Sequence, residues 1–209
     1  MFTVEDVLKT HYPQVQNKPL LFKSLHFVLR HLLHEKEIRE FSQTYPNAKG
    51  LDFIEQVLEY FNVCYSVRDS EKERIPSTGR TVVIANHPIG SLVALALMKL
   101  LSEIRNDVKV VANQMLMTLQ PLSETLLPVN NMQGGTPKEH LNNIHDHLKN
   151  EGLVLIFPAG EVSRLRPQGV RDTKWHSGFL KIARATKSPI LPTFIDAKNS
   201  AFFTVFQCF

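Results

Sequence analysis

Two short stretches of this 209-residue chain hold residue types suited to moving a proton and gripping an anion. The first is Asn86-His87-Pro88, at the end of the apolar run Val82-Val83-Ile84-Ala85. The second, roughly seventy residues on, is Phe157-Pro158-Ala159-Gly160-Glu161-Val162-Ser163-Arg164, at the end of Leu153-Val154-Leu155-Ile156. An imidazole titrates near neutrality, so His87 can take a proton from a hydroxyl or amine as that group attacks an acyl carbon. Gly160 lets backbone approach a ligand closely. Arg164 can hold a phosphate or carboxylate in a forked, charge-assisted pair, and Ser163 adds a hydroxyl donor. Glu161 can orient either Arg164 or His87. A base and an anion-binding arginine point to group transfer onto an acceptor that bears a phosphate or carboxylate. The plainer alternatives are a histidine packed at a strand end and a Glu161–Arg164 surface ion pair of little energetic weight.

Both stretches must be delivered to one place, and the surrounding pattern does this with strands. Apolar runs predict strands at Thr81–Ala85, Val108–Ala112, Leu126–Val129, Leu153–Phe157 and Ile190–Ile195. Helical periodicity falls between them, at Ser91–Ile104, Pro137–Asn150 and Phe179–Thr186. Strands alternating with helices imply an α/β fold, with a mostly parallel or mixed sheet flanked by helices. Such sheets bind ligands beyond the C-terminal ends of their strands, which is where His87 and Gly160 would stand. Thr136 and Pro137 read as the N-cap and first residue of their helix. Alternation over Val63–Val67 predicts a further strand, and Arg68–Arg80 reads as a loop.

Ahead of this domain, residues 1–62 read as an N-terminal amphipathic helical segment, with the α/β domain spanning 63–209. Over 20–43, Lys23, His26 or Phe27, Arg30 and His34 make a polar stripe, and Leu20, Leu21, Leu25, Val28, Leu29, Leu32 and Leu33 fill the other face. Such a helix can lie in a membrane interface or pack on the core. Leu51–Phe61 is a second amphipathic helix. The chain closes on the apolar run Ala201–Phe209, which calls for burial or reads as a C-terminally truncated frame.

Composition narrows the classes. At 43% hydrophobic and 21% charged, the chain is globular. Two cysteines make no disulfide framework and fit a reducing compartment. No signal peptide and no run of 18 apolar residues is read. The net charge of +4 is uneven: from Arg164 to Lys187, seven Lys or Arg face only Asp172, a net +6. That segment would draw an anionic ligand or membrane surface, or else is a solvated basic face. No nucleic-acid motif or aromatic stacking platform is evident. His140, His145 and His147 do not share the i, i+4 face of a zinc pair and read as a solvated helix. Trp175 suits either a membrane interface or a half-buried core position.

The Asn-His-Pro-x-Gly block followed by Phe-Pro-Ala-Gly-Glu-Val-Ser-Arg resembles the glycerolipid acyltransferase superfamily, which includes the 1-acylglycerol-3-phosphate acyltransferases. The wording is closest to its haemolysin-like and lyso-ornithine-lipid acyltransferase branch. The resemblance covers roughly residues 80–196 and includes a final strand, Pro189–Ile195. It implies acyl transfer from an acyl thioester, on acyl carrier protein or coenzyme A, to the hydroxyl of a lyso-lipid. It implies neither metal nor cofactor, no covalent enzyme intermediate, and a peripheral position on the cytoplasmic side of an anionic membrane. Carried over, His87 matches the family's base, and Gly160, Glu161 and Arg164 match its acceptor-headgroup loop. The candidate site is then His87 and Glu161 as catalytic residues, with Gly160, Ser163, Arg164 and Arg166 binding the headgroup.

The chain departs from the family at one place. The family pairs its histidine with an aspartate about a turn later, where this chain has Leu92 and Val93. In the Ser-His-Asp template, losing that partner costs about 10⁴ in rate. Either Glu161 or Asp172 substitutes, or the chain is an impaired, lipid-binding member. A serine-hydrolase mechanism has no support, because no Gly-x-Ser-x-Gly elbow occurs.

Overall fold

A computed structural model describes residues 43–197 apart from 89, 131–136 and 167–168, together with residues 22, 23, 26, 40 and 41. The chain divides into two units, Met1–Ala48 and Lys49–Phe209. Of the helix expected over 20–43, residues 22, 23, 26, 40, 41 and 43 are helical, and the rest lies outside the described residues, as does Ala201–Phe209.

The second unit is built on five strands: β1 (Thr81–Ala85), β2 (Val108–Asn113), β3 (Leu126–Val129), β4 (Leu153–Ile156) and, after a hairpin, β7 (Ile190–Thr193). They form one sheet in the order β3-β2-β4-β1-β7, and every pairing is parallel. All of β1 and β4 is buried, which explains why both read as unbroken apolar runs: a central parallel strand is covered on both faces. The helices provide that cover. On one face α4 (Lys138–Lys149) and α5 (Gly178–Thr186) pack Ile144, Leu148, Ile182 and Ala183 against Val82, Ile84, Val154 and Ile156. The alternate strand residues, among them Val83, Leu153 and Leu155, point the other way. On that side α3 (Ser91–Ser102) packs against β2 and against α1 (Gly50–Tyr60). Enclosed between neighbours, α3 buries Val93, Leu95, Leu97, Met98, Leu100 and Leu101, residues on more than one of its faces.

Several local expectations differ from the structure. Val63–Val67 is irregular chain, and Tyr65 is exposed: alternation makes a strand only where a neighbour offers hydrogen bonds. The loop that follows contains one helical turn, α2 (Asp69–Lys72). Helix α4 starts at Lys138 with Pro137 in the capping position, one residue later than expected. His147 is not on a solvated face. Its Nε2 lies 2.8 Å from the Asp107 carbonyl oxygen and 3.3 Å from that of Leu153, tying α4 to the strand ends.

The edge of the sheet remote from His87 is fastened by Arg105, whose side chain is 4% exposed. It donates to both carboxylate oxygens of Asp107, at 2.6 and 2.7 Å, and to the carbonyls of Pro76, Gly79 and Glu151. Beside it Asp107 is held below the usual carboxylate range, first by its bonds from Arg105. Replacing Arg105 by Met strands three carbonyls and should lower stability by roughly 3 kcal/mol. Urea unfolding of Arg105→Met checks this, with a clear fall in midpoint expected and no change in the chemistry at the opposite edge.

Candidate active site

The site begins with register. Thr81 pairs with Leu153 and Ile84 with Ile156, so β1 and β4 run side by side and leave the sheet at the same level. His87 lies three residues beyond Ile84, and Ala159 three beyond Ile156. Two loops distant in sequence therefore start as neighbours at the C-terminal edge.

The Asn86-His87-Pro88 turn is pinned from both sides. The Asn86 amide donates to the Ile195 carbonyl at 2.9 Å, and the Ile195 N–H donates back to Asn86 Oδ1 at 2.7 Å. This side-chain bridge continues the β1–β7 pairing beyond the last strand residues. Gly90 then turns into α3 with φ +74, a conformation that disfavours side chains, and a Cβ there would meet Val162 at 3.4 Å. On the other side the Ser163 N–H donates to the His87 carbonyl at 2.9 Å. The His87 ring lies on Phe157, with centroids 4.2 Å apart. Its Nδ1 is buried and has no hydrogen-bond partner among the described residues. Burial holds the imidazole below its ordinary pKa of 6.5, and the charge of Asp172 pulls the other way.

Asp172 is the residue whose part sequence reasoning underrated. One carboxylate gathers three donors from three segments. Oδ1 accepts the His87 N–H at 3.1 Å and the Ser163 hydroxyl, and Oδ2 accepts the Trp175 indole N–H at 2.8 Å. The His176 N–H adds a bond to the Pro158 carbonyl at 2.9 Å. Asp172 was visible in sequence as the single acid in the basic segment, but its partners were not.

The other expected site residues fall as follows. Gly160 sits in the tight turn after β4 with φ +69, its N–H donating to the Phe157 carbonyl at 3.0 Å. Ser163 is buried, and its one hydroxyl proton is committed to Asp172 rather than to a ligand. Arg164 donates through Nε and a terminal nitrogen to Glu161 Oε2, at 3.1 and 2.5 Å, in a partly exposed pair. Arg164 and Arg166 belong to β5 (Arg164–Arg166), which forms an antiparallel hairpin with β6 (Gly169–Arg171) that the sequence did not reveal. Among the described residues no group of three or more His, Cys, Asp or Glu side chains is placed to hold a metal.

The described residues thus bring His87 and the 157–164 loop together at the C-terminal edge of the sheet. A family profile described as acyltransferase matches residues 10–208. The chain belongs to that acyltransferase family. It is 26% identical over 176 residues to a lyso-glycine lipid O-acyltransferase of Phocaeicola vulgatus, covering 84% of this chain and 62% of the relative. It is 27% identical over 205 residues to a protein of the same description from Bacteroides thetaiotaomicron, covering 97% and 73%. The chain thus spans between three-fifths and three-quarters of the length of these relatives. No solved structure matches it.

Proposed function

We propose that this member of the family moves a fatty acyl group from an acyl thioester, on acyl carrier protein or coenzyme A, to the hydroxyl of a lyso-lipid. The carrying observation is the fastening of the His87 turn to the 157–164 loop at the C-terminal edge; with Nδ1 buried, the reading takes Nε2 as the nitrogen that meets substrate. In the proposed step the acceptor hydroxyl gives its proton to His87 Nε2 as its oxygen attacks the thioester carbonyl. The carbonyl–sulfur bond breaks, the new ester forms, and the departing thiolate takes the proton back from the imidazolium. No cofactor enters. Arg164, steadied by Glu161, and Arg166 on the same strand hold the anionic headgroup. A lyso-lipid built on glycine, as in the relatives' descriptions, fits this reading because an acylated glycine can present a carboxylate to a guanidinium fork.

A second reading has its own observation. Val93 is 4% exposed on α3, where the family resemblance calls for aspartate, and His87 Nδ1 has no partner. Under that reading the chain binds lyso-lipid without efficient turnover.

The enzyme reading is tested with purified protein, acyl thioesters and a panel of lyso-lipids, the acylated product being read by mass spectrometry. Product is expected from the wild type, and His87→Ala should lower the rate at least about 10²-fold. Full activity in folded His87→Ala would overturn the mechanism.

We also propose that the protein works on the cytoplasmic side of an anionic membrane surface, as a peripheral protein. The β5–β6 hairpin supports this. Its register pairs Arg164 with Arg171 and Leu165 with Val170, so arginines and apolar residues alternate along it. Val170, Lys174, Trp175, Lys181 and Arg184 are exposed. Among the described residues no helix is long and apolar enough to cross a membrane. Each basic residue near such a surface contributes about 1 kcal/mol. Reversing two charges, Arg171→Glu with Lys174→Glu, should therefore weaken co-sedimentation with phosphatidylserine vesicles by roughly tenfold or more at moderate salt. Unchanged binding would contradict the membrane role.

A further inference from the structure

We infer that Asp172 is a positioning residue for His87, setting its backbone and the 157–164 loop in one frame and supplying the negative charge that steadies the ring once it is protonated. This rests on the reading of His87 as the base. The geometry makes Asp172 the meeting point of three segments: the turn after β1, the loop after β4, and the stretch between β6 and α5. Its bond to His87 goes to the peptide N–H and not to the ring. Among the described residues no side chain bonds to the buried Nδ1, so a carboxylate fixed nearby steadies the imidazolium through space. In a partly buried site such a charge acts more strongly than it would in water.

Other charged or titratable groups stand on the segments that pack against the His87 turn. They are Glu161 and Arg164 after β4, Lys174 and His176 beyond Asp172, and Asp196 after β7. Helix α3 brings no acidic residue in its first turn. Glu161 is paired with Arg164, so that pair is close to neutral. Asp172 is the carboxylate whose charge acts on the His87 ring, opposing the effect of burial.

The test is to follow the His87 ring by NMR as pH is varied, its resonance being assigned by its loss in His87→Gln. Asp172→Asn keeps an acceptor oxygen for His87 and Ser163 but removes the charge, and the His87 midpoint should move to lower pH. Ser163→Ala removes a donor that partly neutralises the carboxylate, and the midpoint should move to higher pH. Opposite displacements are a signature that general loosening of the fold does not produce. In acyl-transfer assays Asp172→Asn should lower kcat by about tenfold or more while changing KM little. A midpoint identical in wild type and both folded variants would overturn the inference. Should Asp172→Asn fail to fold, Ser163→Ala alone decides it: an unmoved midpoint overturns and a raised one supports. The titration needs no turnover. A wild type inactive on every acceptor would thus defeat the acyltransferase reading, while the midpoints still report on Asp172.

Discussion

Parallel pairing between β1 and β4 is the constraint on which the functional edge rests. The two strands are adjacent in space although roughly seventy residues separate them in sequence, and neither has a polar side chain facing water. Their ladder sets where His87 and the 157–164 loop emerge. The loops are then joined by bonds that a shift in register would break: Ser163 N–H to the His87 carbonyl, and the Asp172 carboxylate to both. Moving one strand by a single residue would also turn Val82, Ile84, Val154 or Ile156 away from α4 and α5. The apolar core and the reactive edge are thus fixed by the same alignment.

The division of labour between the two edges follows from this. The edge remote from His87 carries a nearly buried cation whose donors are all spoken for, in Arg105, and its cost in desolvation is offset by two carboxylate bonds and three carbonyls. The reactive edge is built differently. There the imidazole is enclosed at Nδ1, rests on an aromatic ring, and is held below its ordinary pKa by burial, against the pull of the nearby carboxylate. Saturation suits the first edge because it only has to hold.

The core of the fold was legible because buried parallel strands leave an unambiguous mark. Val82–Ala85 and Leu153–Ile156 are apolar without interruption, and β3 spans Leu126–Val129 as read. Helix α3 was legible from its length, and only its end, Ser102, falls short of the expected Ile104. The Val63–Val67 reading failed because alternation records a half-buried surface and not the presence of a pairing partner. The β5–β6 hairpin went unseen because each strand has three residues, too few for a period to declare itself. At the site, the types and places of His87, Gly160 and Arg164 could be read from sequence. The committed proton of Ser163 and the three-way role of Asp172 could not, since nothing in a basic, irregular stretch says which acid turns inward.

The proposed base, His87, is followed in the first turn of α3 by a buried valine, Val93. A carboxylate at position 93 would carry a desolvation cost, and its absence leaves the ring to Phe157 for orientation and to Asp172 for charge. The central claim is that this arrangement suffices for acyl transfer. The most direct measurement is the single-turnover rate of thioester consumption with lyso-lipid bound, in wild type and Val93→Asp side by side. The account expects wild-type turnover that the substitution does not raise by more than about tenfold, well short of the roughly 10⁴-fold cost of a missing partner. A silent wild type that Val93→Asp brings to life would contradict it.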